Sequence, residues 1–384
     1  MSETHPIPEV KRVESEQEKA ERHARELADF FQEMQEHGLA PEAMYQHGKT
    51  YAANENGTVG TLDRPFGVFR VAEEHQRVVG SKERAIYKTQ MESKTGAGID
   101  REVAFYQKFL PQVQAALSPE VREGLAFPKL LKVFEKEGKA KAILLSELQG
   151  DLLGVHDFGY EGKATTADFQ RIIELVRAVQ KISPAELQAA SPSTKSIDHA
   201  NSEAEWLSQD KVDLIGKQLG EGYDTKSLQV ITEAEKSIRQ QPERVLSEDV
   251  FQTNLMVLPD GRTASFDWER LEIGTNPGHD YAKFASRMWT EPEKQREFIR
   301  MTLAANQDTP GFKAMFKSNL LATEYSHLFR HYAGIVERAE ADPSRYANRP
   351  QLLAEAEQAA PALKQAIAEL LDDTGPWAEE KLPE

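Results

Sequence analysis

Three residues in this sequence have the types and spacing to hold a metal ion beside an acid. Asp249 is followed five positions later by Asn254, then by the apolar run Leu255 to Leu258, the turn Pro259-Asp260-Gly261, and a second short run ending in Asp267-Trp268-Glu269. Pro presets φ at the first corner and Gly accepts positive φ, so the stretch reads as a hairpin. A hairpin brings its outer ends together. Those ends carry Asn254 and Asp267, so a carboxamide and a carboxylate oxygen converge on one point, a pair of hard donors that suits Mg²⁺. Asp249 stands just beside them.

An Asp, an Asn five later, and an Asp after a hairpin is the layout of a kinase catalytic loop and metal-binding loop. In detail the stretch resembles the aminoglycoside phosphotransferase and choline kinase-like family. There the pattern is His-Gly-Asp, four residues, Asn, an apolar strand and Ile-Asp-Trp-Glu; here Ser247-Glu248-Asp249, Asn254 and Phe266-Asp267-Trp268-Glu269 occupy those places. Gly274 to Ala282 is similar to the Gly-Asp-Pro…Asp-Leu-Ala segment that follows. The departure is at Ser247 and Glu248. The resemblance spans roughly residues 67–290. It implies an α+β class: a bilobal protein-kinase-like fold with a small, mostly β N-terminal lobe and a larger helical C-terminal lobe.

The resemblance also implies the chemistry. ATP or another nucleoside triphosphate binds between the lobes, Asn254 and Asp267 hold Mg²⁺, and Asp249 accepts the proton of the acceptor hydroxyl. In such a lobe a strand Lys contacts the α- and β-phosphates and is paired with a Glu on the next helix. Lys88 and Glu102 match those positions. Alone, a strand Lys is usually a snorkelling surface residue; the strand–helix order and the downstream motif favour function. Glu147 and Leu148 match the hinge whose backbone reads the adenine edge, against the plain reading of a strand end. Gly57, Gly60 and Gly67 are candidates for a phosphate-covering loop but lack the Gly-x-Gly-x-x-Gly spacing.

The elements that must position these residues follow from periodicity. From about Pro8 to Gly38 the chain reads as an amphipathic helix with Leu27, Phe30, Phe31 and Met34 on its apolar face, more suited to packing on its own domain than to docking a partner. Residues 67–71 and 84–89 read as strands. A helix capped by Asp100 carries Val103, Phe105, Tyr106 and Phe109. Residues 126–134 and 140–145 pair around Gly138, a core helix runs from Ala167 to Ile182, and the polar stretch Ser183 to Ser202 reads as loop, followed by helices to about Arg239. Beyond Asp280, which would cap a helix or accept hydrogen bonds from the catalytic-loop backbone, the chain is helical almost throughout. The expected division is 1–45 helical extension, 46–148 N-lobe and 149–384 C-lobe.

Some motifs are coincidences. Gly48-Lys49-Thr50 ends like a phosphate-binding P-loop, but Ala43 stands where its first Gly belongs. Asn56-Gly57-Thr58 is an ordinary turn. His156-Asp157-Phe158-Gly159 spells the protein-kinase metal motif yet precedes Asp249 instead of following it. His327 and His331 lie a helical turn apart without the Glu of a zinc-protease helix, which points to packing.

Composition bounds the rest. A chain of 384 residues can bury a two-lobed core, and a net charge of −16 argues against nonspecific nucleic-acid binding while suiting a cationic acceptor, although acidity also serves solubility alone. There is no cysteine, so neither disulfides nor thiol chemistry operate. No stretch approaches the roughly 18 apolar residues of a membrane span, and a cytoplasmic location is expected. Three functions fit: a small-molecule phosphotransferase acting on a hydroxyl, a kinase acting on protein, and a kinase-fold nucleotide-binding protein with little or no turnover. The sequence gives neither the acceptor nor the oligomeric state.

Overall fold

A serine begins the first element. Ser15 Oγ accepts from Glu18 N at 3.2 Å, and the Glu18 carboxylate accepts in return from Ser15 N at 2.9 Å, a capping box that fixes the helix start. The helix α1, Glu16–Glu36, therefore begins later than the sequence suggests. The chain is seen here in a computed structural model that describes residues 15–46, 49–52, 68–71, 84–89, 98–154, 163–199, 205–247, 249–250 and 252–378. Gly48, the turn at Asn56, the three loop glycines, Glu248 and the segment His156–Gly159 lie outside the described residues. The chain divides into two units, Met1–Lys94 and Thr95–Glu384.

In the first unit four antiparallel strands, β1 (Pro41–Gln46), β2 (Lys49–Ala52), β3 (Val68–Val71) and β4 (Ala85–Thr89), lie in the order β2-β1-β3-β4. Alternation buries Phe69, Val71, Ala85 and Tyr87. Helix α1 packs on the sheet as its spacing requires: Phe30 and Phe31 meet the Phe69 ring at 5.8 and 5.7 Å, and Met34 is fully buried.

The second unit opens with α2 (Gly98–Ala104), which runs through a π-helical turn at Phe105–Phe109 into α3 (Leu110–Ala116). Asp100 is not the cap. It sits inside the first turn, and its Oδ1 accepts from Ala140 N at 3.2 Å, tying the helix to a neighbouring strand. After α4 (Pro119–Gly124) and β5 (Leu125–Ala126), the strands β6 (Leu130–Lys136) and β7 (Lys139–Ser146) form a hairpin. Its corner residues Glu137 and Gly138 have φ of 55° and 73°, the left-handed pair that matches the twist of the strands. β8 (Asp151–Leu152) follows.

Helix α5 (Thr166–Val179) is the expected core helix, with Phe169, Ile172, Ile173, Val176 and Val179 buried. The stretch after it is a correction. Ser183 to Ser202 holds a helix, α6 (Pro184–Ala190), and a strand, β9 (Ser196–Ile197), because Pro184 starts the helix and Leu187 is buried beneath it.

The helices α7 (Gln209–Leu219) and α8 (Tyr223–Ile238) lead to four short strands: β10 (Arg244–Leu246), β11 (Leu255–Val257), β12 (Thr263–Ser265) and β13 (Glu272–Gly274). They build two sheets, β10-β13-β9 and β5-β12-β11-β8. Five helices complete the unit: α9 (His279–Ser286), α10 (Pro292–Ala305), α11 (Phe312–Asn319), α12 (Ser326–Ala341) and α13 (Pro350–Leu371). Rings of Phe169, Phe284 and Phe298 pack at 5.5 and 4.6 Å in their core.

His327 and His331 correct another expectation. Both are exposed on α12, so neither is a core residue, although the His331 ring meets the Tyr332 ring edge-on at 5.3 Å. Among the described residues no helix is long and apolar enough to cross a membrane. The class is α+β, a small, mostly β part followed by a larger helical one.

Candidate active site

Strand β10 delivers the chain to Ser247, whose buried backbone N–H donates to Asp280 Oδ2 at 3.0 Å. Asp280, on α9, is fully buried, so the acid expected either to cap or to hold the loop does hold it. Two residues on, Asp249 lies partly buried. Its backbone carbonyl accepts from Asn254 Nδ2 at 3.0 Å. A carbonyl can only accept, so this contact assigns the amide end of Asn254 and leaves its Oδ1 as a donor atom for a cation.

The hairpin forms as its turn chemistry requires. Leu255, Met256 and Val257 face Ser265, Ala264 and Thr263. Gly261 takes φ of 80°, and Leu258 N donates to Arg262 O at 2.9 Å. Beyond the strands Phe266 N still reaches Asn254 O at 3.2 Å, which places Asp267 beside the Asn254 end. Asp267 has φ of 66°, a left-handed conformation that costs an L residue roughly 1–2 kcal/mol, less for Asp.

Helix α2 and the π-helical turn that follows it meet this acidic loop with three residues. Arg101 Nε donates to Glu269 O at 2.7 Å. Phe105 stacks on Trp268 with ring centroids 4.1 Å apart and planes at 9°. Between them Glu102, fully buried, brings its carboxylate to those of Asp267 and Glu269, one ligand atom of each lying within 4.8 Å of the others. Three carboxylate oxygens gathered this closely are hard donors of the kind a divalent metal takes.

The same field reaches Asp249. Burial lifts its carboxyl to about 7; the charges of Asp267 and, more weakly, Glu269 add to the rise, while Arg270 and Lys283 oppose it. Arg101 is held below the ordinary guanidinium range by burial, with Glu272 and Glu269 opposing. A carboxyl poised near neutrality suits a group that must take up a proton.

The sequence candidates thus fall into three places. Asp249, Asn254, Asp267 and Glu102 lie in the second unit around the outer end of the hairpin. Glu147 and Leu148 follow β7 at its other end: Leu148 packs against Ala126, Leu258 and Ala264, and Gly150 passes so near Val257 O that a Cβ would stand 2.5 Å from it. Lys88 is buried on β4 of the first unit, opposite Val68. Sequence reasoning gave no role to Glu269, Arg101 and Lys283. Glu269 stood in the quoted motif, and Arg101 precedes Glu102 in the chain, but nothing in their spacing signals that they meet.

An acid, an Asn that braces its backbone, a hairpin and an Asp beyond it, with a helix whose acid holds the loop, have the layout of a phosphoryl-transfer site. The chain belongs to the phosphotransferase enzyme family, whose model matches residues 93–315. No curated protein matches it. Among solved structures it is similar to the GDP complex of wild-type aminoglycoside 2'-phosphotransferase-IIIa, at 11% identity and a TM-score of 0.46 over 80% of this chain and 93% of that one. The macrolide 2'-phosphotransferase MphH from Brachybacterium faecium matches at 11% identity and a TM-score of 0.40, over 88% and 98% of the two chains.

Proposed function

We propose that the protein moves the γ-phosphate of ATP, or of another nucleoside triphosphate, to a hydroxyl of a small molecule, with Mg²⁺ held by Asn254 Oδ1 and Asp267. The observation that carries this reading is the hairpin that brings Asn254 and Asp267 together beside Asp249. Bound there, Mg²⁺ would draw in the nucleotide phosphates and neutralise charge that develops during transfer.

The chain's own residues do the remaining work. Asp249 orients the acceptor hydroxyl and takes its proton. Asn254 holds the Asp249 backbone through Nδ2, and Asp280 holds the loop one step earlier through Ser247 N–H. Lys88 serves the α- and β-phosphates and is paired with Glu102, while the backbone at Glu147 and Leu148 receives the base. Such transfer depends on positioning and electrostatics, so scattered carboxylates and one lysine suffice without a nucleophile. A net charge of −16 favours a cationic acceptor such as an aminoglycoside or amino-alcohol, and the activity belongs in the cytoplasm, where nucleoside triphosphate is plentiful.

Phosphotransfer measured with Mg²⁺ across aminoglycosides, macrolides, amino-alcohols and generic protein substrates tests the reading. Asp249→Asn should lower turnover by about 10²–10⁴-fold, and unchanged turnover would remove Asp249 as the base. A second reading, nucleotide binding with little turnover, is favoured by Ser247 in the place of the motif His. It predicts Mg²⁺-dependent nucleotide affinity with no transfer to any acceptor.

A further inference from the structure

The open ends of the β11–β12 hairpin carry Asn254 and Asp267; its closed end is held by helix α5. Asp168, 2% exposed, accepts four hydrogen bonds. Its Oδ2 takes Thr165 N at 2.8 Å and Thr165 Oγ1 at 2.7 Å, which closes the capping box of α5. Its Oδ1 takes Thr263 Oγ1 at 2.6 Å and Arg171 Nη1 at 3.2 Å. Arg171 Nη1 also reaches the Gly261 carbonyl at 2.9 Å and Thr263 Oγ1 at 3.3 Å. The buried Thr263 hydroxyl thus gives its one hydrogen to Asp168 and accepts from Arg171. One turn of α5 grips both the Pro259-Asp260-Gly261 turn and the first residue of β12. Gly124, at the end of α4, makes the approach possible, because a Cβ there would stand 2.3 Å from Arg171 Nε.

The strands by themselves fix the hairpin weakly. β11 and β12 are three residues each, and each meets its outer neighbour, β8 or β5, over two residue pairs; an isolated hairpin is marginally stable at best. β12 ends at Ser265 and Asp267 lies two residues beyond, so a shift or rotation at Thr263 is carried along the strand to Asp267. The bond from Phe266 N to Asn254 O, 3.2 Å long, carries it across to the other end. We propose that Asp168 and Arg171 are positioning residues for the metal ligands: by clamping the closed end of the hairpin from α5, they keep Asn254 and Asp267 at the mutual spacing that Mg²⁺ needs. They act through the strand and the turn. The proposal rests on Asn254 and Asp267 holding Mg²⁺.

The test uses the full-length protein with Arg171→Met and Thr263→Val, each of which removes one side of the clamp. Leu363→Ala, at a buried position of α13, is the control that lowers stability without touching it. In metal-free protein, exchange of the Phe266 N–H with solvent should quicken about tenfold more than exchange of the α13 amides in both clamp variants, and not in the control. Equal quickening in both places would mean a loss of overall stability alone and would overturn the proposal. Calorimetric titration with ATP gives the second readout. Both clamp variants should bind ATP about five- to twentyfold more weakly than wild type in Mg²⁺, and within about twofold of wild type in EDTA, because a small misplacement of the ligands weakens only what depends on the metal. Equal weakening with and without metal, or the same pattern in Leu363→Ala, would overturn the proposal. Asp267→Asn, run alongside, separates the two levels. If it binds ATP in Mg²⁺ as well as wild type does, the metal reading fails and the proposal with it. If it loses the metal effect while Arg171→Met and Thr263→Val keep it, the metal reading stands and the clamp does not position the ligands.

Discussion

Ser247 and Asp280, 33 residues apart in sequence, are joined by one buried hydrogen bond of 3.0 Å from a backbone N–H to a carboxylate. The bond sets where the loop that carries Asp249 leaves β10. Asp280→Ala should cost about 1–3 kcal/mol, because it leaves a buried donor without its acceptor. Asp280→Asn keeps an oxygen there but loses the charge, and should cost less. Urea denaturation of the two variants measures the difference, and equal losses would mean that the charge contributes nothing.

Asp267 combines a left-handed backbone with a place in a cluster of three acids. Its φ of 66° is tolerated by Asn as well as by Asp, so Asp267→Asn preserves the backbone while removing one of three carboxylates that lie within 4.8 Å of one another. In metal-free buffer this variant should be the more stable protein, by about 1 kcal/mol or more. Mg·ATP should then raise its melting temperature little, whereas it should raise that of the wild type clearly. A variant that is less stable without metal and still responds to Mg·ATP would remove Asp267 from the metal site.

Asp249 gives the site a pH signature. Its folded carboxyl titrates near 7, above the ordinary 3.8, so the folded protein binds a proton that the unfolded chain releases. The stabilisation that goes with this proton is complete below about pH 3.8 and is lost as the pH rises through about 7. Metal-free wild type should therefore lose stability between pH 5 and 8 relative to Asp249→Asn, by an amount on the order of 1–3 kcal/mol. Denaturation of both proteins in chelator across that range checks the sign. A difference that stays flat would mean that Asp249 is not raised.

Local signals were legible in the sequence where one element carries them. Pro259, Asp260 and Gly261 give the hairpin, and its ends give Asn254 and Asp267. The apolar face of α1 gives its packing on Phe69. Legibility fails where partners come from distant segments. Asp100 reads as a cap because Asp is a good one, but its oxygen serves Ala140 N, 40 residues away. Ser183 to Ser202 reads as loop because its polar residues outnumber the one side chain, Leu187, that decides the matter. Arg101 and Glu269 meet across 168 residues, a contact that no periodicity encodes. Lys283 looks like any surface lysine until α9 is seen to be buried.

Trp268 anchors the acidic loop Asp267–Glu269. Its ring lies flat on Phe105 at 4.1 Å, almost wholly buried, between Asp267 with its left-handed backbone and Glu269, whose carbonyl takes the Arg101 bond. Trp268→Ala should cost about 3–5 kcal/mol, the usual loss for a large buried ring with incomplete collapse, and Trp268→Phe, which keeps a stacking partner for Phe105, should cost less. The functional loss should exceed what the unfolded fraction explains. Without the ring to hold position 268, Asp267 can relax to a commoner backbone conformation and swing its carboxylate away from Asn254. Folded Trp268→Ala protein, measured well below its melting temperature, should therefore bind Mg·ATP at least about tenfold more weakly than wild type, and Trp268→Phe should lie between them. If Trp268→Ala were unstable yet bound Mg·ATP normally, the left-handed turn at Asp267 would be held by the hairpin alone, and the stack on Phe105 would serve only the core.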